Sequence, residues 1–242
     1  MSKKESNKSL LPWITAVLMV AGIAVLAAMY WNQNVTVQEI KVNTLTFTDY
    51  EMVKQSAAIP LGVKPDSLDL NNVVTRVEQL DYVRSVSPYI EPNGNLRLKV
   101  AERQPIAMLI NGSDRIYVDA EGVKLPLLEG KTRDVPLVYG FRTNQGDTLK
   151  SEAFVQVRDF LMRAKIDGFG WNTISEVAFD ANDGVIALSH ENGVKLIFGR
   201  NNFEIKLENW KAFYGQVVKT KGINKMQQVD LRFTDQVVTR EI

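Results

Sequence analysis

From residue 10 to residue 31 no side chain carries a charge, and that run constrains what this chain can become more than any other feature in it. Wound as a helix it reaches about 33 Å, enough to cross a hydrocarbon core of about 30 Å. Ile14, Val17, Leu18, Val20, Ile23, Val25 and Leu26 each favour insertion by a few tenths of a kcal/mol, a total that Pro12 at the edge does not cancel. Trp13 near one end and Tyr30 and Trp31 at the other have the placement of interfacial aromatic anchors. Lys3, Lys4 and Lys8 precede the run, whereas residues 32–38 carry no charge. The positive-inside rule therefore reads residues 1–9 as a cytoplasmic tail, 10–31 as a transmembrane helix and the remainder as lying across the membrane. A cleaved secretory signal is the competing reading. Such signals have a shorter apolar middle and a small-x-small site, and here Met29, Tyr30 and Trp31 follow Ala27 and Ala28.

The exported part is close to neutral. The whole chain has a net charge of +1, and Lys3, Lys4 and Lys8 against Glu5 already supply +2 of it, so everything after the apolar run sums to −1. A body of that charge lacks the basic footprint of a phosphate-backbone binder. Cysteine is absent, which excludes disulfides, thiolate metal sites and a cysteine nucleophile, and suits an oxidising compartment.

Two domains follow from the patterning. Residues 35–42 alternate as a strand, Thr48 with Glu51 forms a capping box for a helix over 49–58, and Val73, Val74, Val77 and Leu80 recur at helical spacing in a second helix ending at residue 80. Residues 83–90 and 96–100 flank the turn Pro92-Asn93-Gly94 as a hairpin with one buried face. The order strand, helix, helix, strand, strand makes a small two-layer domain. After Gln104-Pro105 the pattern changes to short strands at 106–110, 115–118, 123–127 and 135–139, a helix over 151–165, strands at 174–179, 185–189 and 194–198, a helix over 204–218, and closing strands at 226–233 and 237–239. The expected fold class is α+β, mainly antiparallel in the second domain.

The residue types that a hydrolase or metalloenzyme requires are sparse. His190 is the only histidine, so a zinc or iron site would draw its other ligands from carboxylates. No Gly-rich phosphate loop occurs, and Ser151 beside Lys150 lacks a catalytic motif. Glu176 and Asp180 share one face of a strand, the pairing that glycan hydrolysis uses, yet solvated strand carboxylates are far commoner. The expectation is no catalytic residue, no cofactor and no metal. The positive feature is the C-terminus, where Val229, Leu231 and Phe233 alternate with Asp230 and Arg232. If that hairpin ends a sheet, its outer strand offers unpaired backbone groups to a partner strand; the bland reading is that Asp230 and Arg232 merely solubilise the face.

Several segments carry a resemblance: Leu80-Asp81-Tyr82-Val83, the stretch from Leu98 to Ala107 with Glu102-Arg103-Gln104-Pro105, Tyr117-Val118-Asp119-Ala120-Glu121-Gly122, Val135-Pro136-Leu137-Val138-Tyr139-Gly140, and Val229-Asp230-Leu231-Arg232-Phe233. In this order and spacing the chain resembles the FtsQ/DivIB family of bacterial cell-division proteins. The resemblance implies a POTRA domain over 32–104 of β-α-α-β-β order and a β domain over 105–242. It further implies a non-enzymatic scaffold in the inner membrane at the division site, with periplasmic domains. Such a scaffold links divisome proteins, adds a strand from FtsB, which comes with FtsL, and helps control septal peptidoglycan synthesis. By match to the family's terminal motif, the implied partner-binding positions are Arg232, Phe233, Thr234, Asp235, Gln236 and Val237. Phe233 stands where the family often has tyrosine, and Asn43 where it has a glycine. The alternatives are a POTRA-containing envelope assembly or secretion component, for which the residues after 104 are too few to build a large barrel, and a peptidoglycan hydrolase using Glu176 and Asp180.

Overall fold

The structure is a computed structural model that describes residues 11–144, 148–233 and 236–242. It begins with helix α1, Leu11–Asn34. Among the residues whose side chains are described, no helical stretch is by itself long and apolar enough to cross a membrane. The chain divides into two compact units, one ending at Ala101 and the other spanning Glu102–Ile242.

In the first unit, strand β1 (Ile40–Val42) is followed by α2 (Tyr50–Ala57), α3 (Leu70–Val77), β2 (Val83–Ile90) and β3 (Leu96–Glu102). The strands form one sheet of order β1-β3-β2, with β1 parallel to β3. The alternation read from residues 83–100 is present here as buried Leu96, Leu98 and Val100, which pack with Val53, Ala57, Val73 and Val77 from the two helices. The cap of α2 is Asp49 rather than Thr48: the helix starts at Tyr50, and the Asp49 carboxylate accepts the Glu51 N–H at 2.8 Å. Asp69 does the same for α3, accepting the Asn72 N–H at 3.0 Å. Arg76 on α3 donates to the carbonyls of Ser56 and Ala57, satisfying the open C-terminal end of α2. Asn43 also finds a clear role. Its side-chain amide donates to Val100 O at 3.0 Å and accepts the Val100 N–H at 2.7 Å, so it extends the β1–β3 pairing by mimicking a backbone peptide.

The second unit contains β4 (Pro105–Asn111), β5 (Asp114–Asp119), β6 (Lys124–Leu125), β7 (Leu137–Tyr139), α4 (Glu152–Asp167), α5 (Phe169–Thr173), β8 (Ile174–Asp180), β9 (Gly184–Ser189), β10 (Lys195–Gly199), α6 (Phe203–Phe213), β11 (Met226–Asp230) and β12 (Val238–Glu241). The strands make one sheet of order β12-β11-β10-β9-β8-β7-β4-β5-β6. Hairpin neighbours pair antiparallel, while β4–β7, β7–β8 and β10–β11 are parallel. Parallel neighbours need a crossover, and α4 and α6 supply two of them. Their apolar sides, Phe154, Phe160 and Leu161 on α4 and Leu207 and Trp210 on α6, pack on Val177, Ala187, Leu196 and Val229 of the sheet. The helix expected over 204–218 is not uniform: regular α-helix ends at Phe213, and residues Tyr214–Val218 form a π-helical turn. The short α5 was not legible in the sequence pattern, since five residues fall below one clear amphipathic period.

Candidate partner-binding edge

The C-terminal segment is built outward from the core. Val229 and Leu231 are fully buried, and Leu231 N–H bonds to Ile197 O at 2.9 Å, carrying the β10–β11 pairing one step past the end of β11. The chain then turns. β12 comes back antiparallel to β11, with Asp230 opposite Val238, Val229 opposite Thr239 and Gln228 opposite Arg240. Because β12 is the terminal strand of the sheet order, its far side has no neighbour among the described strands. Ile242 donates its N–H inward to Lys225 O at 3.0 Å, and strand alternation then turns the N–H groups of Thr239 and Glu241 outward.

Just past β11, Arg232 is tied back onto the sheet. Its guanidinium bonds to Asp230 at 2.6 Å and 2.9 Å, and through Nη1 to Asp183 Oδ1 at 3.0 Å. Lys195 reaches the other oxygen of Asp183 at 3.1 Å. Gly199 leaves room for this crossing: a Cβ there would stand 3.2 Å from both Arg232 Cγ and Lys206 Nζ, and its φ of +76° favours glycine. Burial works to raise the pKa of Asp230, but the hydrogen bonds and charge of Arg232 outweigh it and hold the carboxyl below its ordinary value. Hydrogen bonding to Asp230 in turn raises the pKa of Arg232, and burial lowers that of Lys206. The Lys206 ammonium donates to Asn201 O at 2.6 Å.

The positions implied by the terminal motif thus have different surroundings. Arg232 is spent largely within the fold, bridging the β8–β9 turn to the end of β11. Phe233 is 44% exposed, Gln236 is exposed, and Val237 is half-buried against the helix-covered core. Thr234 and Asp235 lie outside the described residues. All six precede β12, so the backbone groups that a partner strand would meet belong to the strand that follows them. Asp183, which sequence spacing could not connect to Arg232, is 49 positions away in the chain. The carboxylates weighed for glycan hydrolysis, Glu176 and Asp180, both lie on β8. Asp180 caps a turn by accepting the N–H groups of Asp183 and Asn182, which lower its pKa, the wrong direction for a general acid at neutral pH. His190 is exposed at the end of β9.

A family model described as FtsQ/DivIB, C-terminal related, matches residues 104–240. The cell-division protein FtsQ of Rhodothermus marinus is 31% identical over 236 residues, which cover 93% of this chain and 86% of that protein. The chain belongs to the FtsQ/DivIB family. It is a cell-division protein by that membership, and its FtsQ relative from Salinibacter ruber is 25% identical over 92% of this chain and 90% of its own length. A solved structure of the major extracytoplasmic domain of DivIB from Geobacillus stearothermophilus, the trans isomer, is similar at 18% identity and a TM-score of 0.34, covering 49% of this chain and 97% of that one. The fold in hand is mixed α+β with a large, mostly antiparallel sheet.

Proposed function

We propose that this FtsQ/DivIB protein is a non-enzymatic, single-pass scaffold of the inner membrane, with its N-terminus cytoplasmic and both units periplasmic at the division site. The first unit serves as its POTRA domain. The second accepts a strand of FtsB, bringing FtsL with it, along the outer side of β12, and the complex helps control septal peptidoglycan synthesis. The observation that carries the reading is the margin of β12, which has no neighbour among the described strands, with outward N–H groups at Thr239 and Glu241 and the exposed Phe233 ring between β11 and β12. An edge of this kind is a ready template for strand addition, where main-chain hydrogen bonds give affinity and neighbouring side chains give specificity. Support for the anchor comes from α1: 24 residues reach about 36 Å, and Leu18, Val20, Ile23 and Leu26 are each well over half exposed, so the rest of the described first unit leaves them uncovered. A helix apolar on all sides needs an apolar surrounding.

Thr239→Pro tests the edge, because proline there removes an outward N–H and obstructs an incoming strand while sparing the inward bonds to β11. With one hydrogen bond worth about 1 kcal/mol, capture of FtsB–FtsL by the full-length protein should weaken about fivefold or more. Phe233→Ala should weaken it as well. Undiminished co-purification of both partners with the two variants would remove the proposed site.

A further inference from the structure

Two loops of the first unit lie against the chain as it leaves α1. Val37 N–H donates to Val63 O at 2.9 Å, and Gly62 N–H donates to Val37 O at 2.8 Å. Residues 59–64 are therefore fastened to a position just after Asn34, where α1 ends. From the other side the β2–β3 turn closes on the same segment. A Cβ on Gly94 would stand 2.2 Å from Val35 Cγ1 and 2.9 Å from Thr36 O, so only glycine permits the approach. Connectivity sets a ceiling on distance: three extended residues reach about 10 Å at most, so Val37 stays within that span of the end of α1.

The side chains at this end have an interfacial composition. Leu61 is 62% exposed, and Tyr89 and Ile90, at the end of β2 beside the turn, are exposed too. Lys64 is exposed, and the Arg97 guanidinium lies over the Tyr89 ring, 6.0 Å from its centroid. Glu91, the carboxylate of the turn, is already taken by Lys41 at 3.0 Å and Arg97 at 2.6 Å. Glu39 lies 3.8 Å from Lys41. Exposed apolar and aromatic groups beside an exposed lysine, Lys64, are what a headgroup layer accommodates and plain water does not favour.

We propose that residues 59–64 and the adjoining end of β2 rest on the headgroup layer of the membrane, with Leu61 entering the acyl boundary and Lys64 reaching lipid phosphates. This rests on the reading of α1 as the membrane helix. The first unit is then held to the bilayer at two places, the end of α1 and this loop, and does not swing freely on its stem. Its β2 edge stands upright from the membrane surface in consequence.

The absence of cysteine makes the test direct, because a single introduced cysteine carries the only nitroxide. The full-length protein is reconstituted in bilayers of phosphatidylcholine and phosphatidylglycerol. Accessibility to a water-soluble nickel chelate and to oxygen is then read by electron paramagnetic resonance for Leu61→Cys, Ile90→Cys, Ser85→Cys and Val20→Cys. Ser85 is exposed near the opposite end of β2, about 17 Å along the strand from Ile90. The expected result is strong nickel protection at position 20, and several-fold lower nickel accessibility at 61 and 90 than at 85. Equal accessibility at 61, 90 and 85 with position 20 still protected overturns the headgroup contact and leaves the anchor standing. Nickel access at position 20 overturns the anchor and the contact together.

Discussion

Replacing Arg232 by alanine separates two roles that the terminal motif confounds, a contact with a partner and a brace within the fold. The substitution deletes the hydrogen bonds to Asp230 and Asp183 and leaves Asp230, only 5% exposed, without its guanidinium. Removing one member of a fully buried ion pair costs about 3–5 kcal/mol, whereas an exposed pair contributes about 0–1. Here the Asp230 side chain is 8% exposed and that of Arg232 is 37% exposed, so solvent screening brings the expected loss to about 2 kcal/mol. For a unit of this size that lowers the melting temperature by roughly 5–10 °C. The assay is thermal unfolding of the full-length protein followed by near-ultraviolet circular dichroism, across a range of pH. Asp230 has a folded pKa below its unfolded value, so the pair's contribution is complete above about pH 4 and disappears as pH falls through the folded pKa. The gap between wild type and variant should therefore be full at neutral pH and close in acid. Adding Asp230→Asn to the variant should recover part of the loss, since no buried charge is then left unpaired. A melting temperature unchanged by Arg232→Ala at neutral pH, with partner capture lost, would refute the brace and return Arg232 to the role of a free contact.

Two further substitutions probe the units separately. Asn43→Ala removes both hydrogen bonds to the Val100 backbone and should cost about 2 kcal/mol. Amide hydrogen exchange should report it as lost protection at Val100 with Leu98 still protected, and intact protection at Val100 would show that water replaces the side chain at no cost. Trp210→Phe empties part of the core of the second unit and takes the indole N–H away from Thr173 Oγ1, 2.9 Å distant. Urea denaturation followed by far-ultraviolet circular dichroism should show a loss of about 2–3 kcal/mol, and a loss near zero would mean that the neighbouring rings close the gap.

Much of this architecture is written in the order of neighbouring residues. The alternation of Leu96, Leu98 and Val100 and the helical return of Val73 and Val77 mark β3 and α3, because a side chain's face is set by the local twist of its own backbone. The apolar run of α1 and the absence of cysteine are equally local facts. Caps and helix ends are less legible: Asp49 displaces Thr48 as the cap of α2 through a one-residue choice between two competent oxygens, and the π turn over Tyr214–Val218 falls inside a stretch whose apolar spacing reads as one continuous helix. Only the tertiary structure decided that β10 and β11 run parallel, that β12 is the margin of a nine-stranded sheet, and that Arg232 answers to Asp183 across 49 positions of chain. Each of these depends on loops closing between segments that have no local reason to meet. Periodicity can say which face a residue shows; strand order and ion pairing are settled by what the completed core brings beside it.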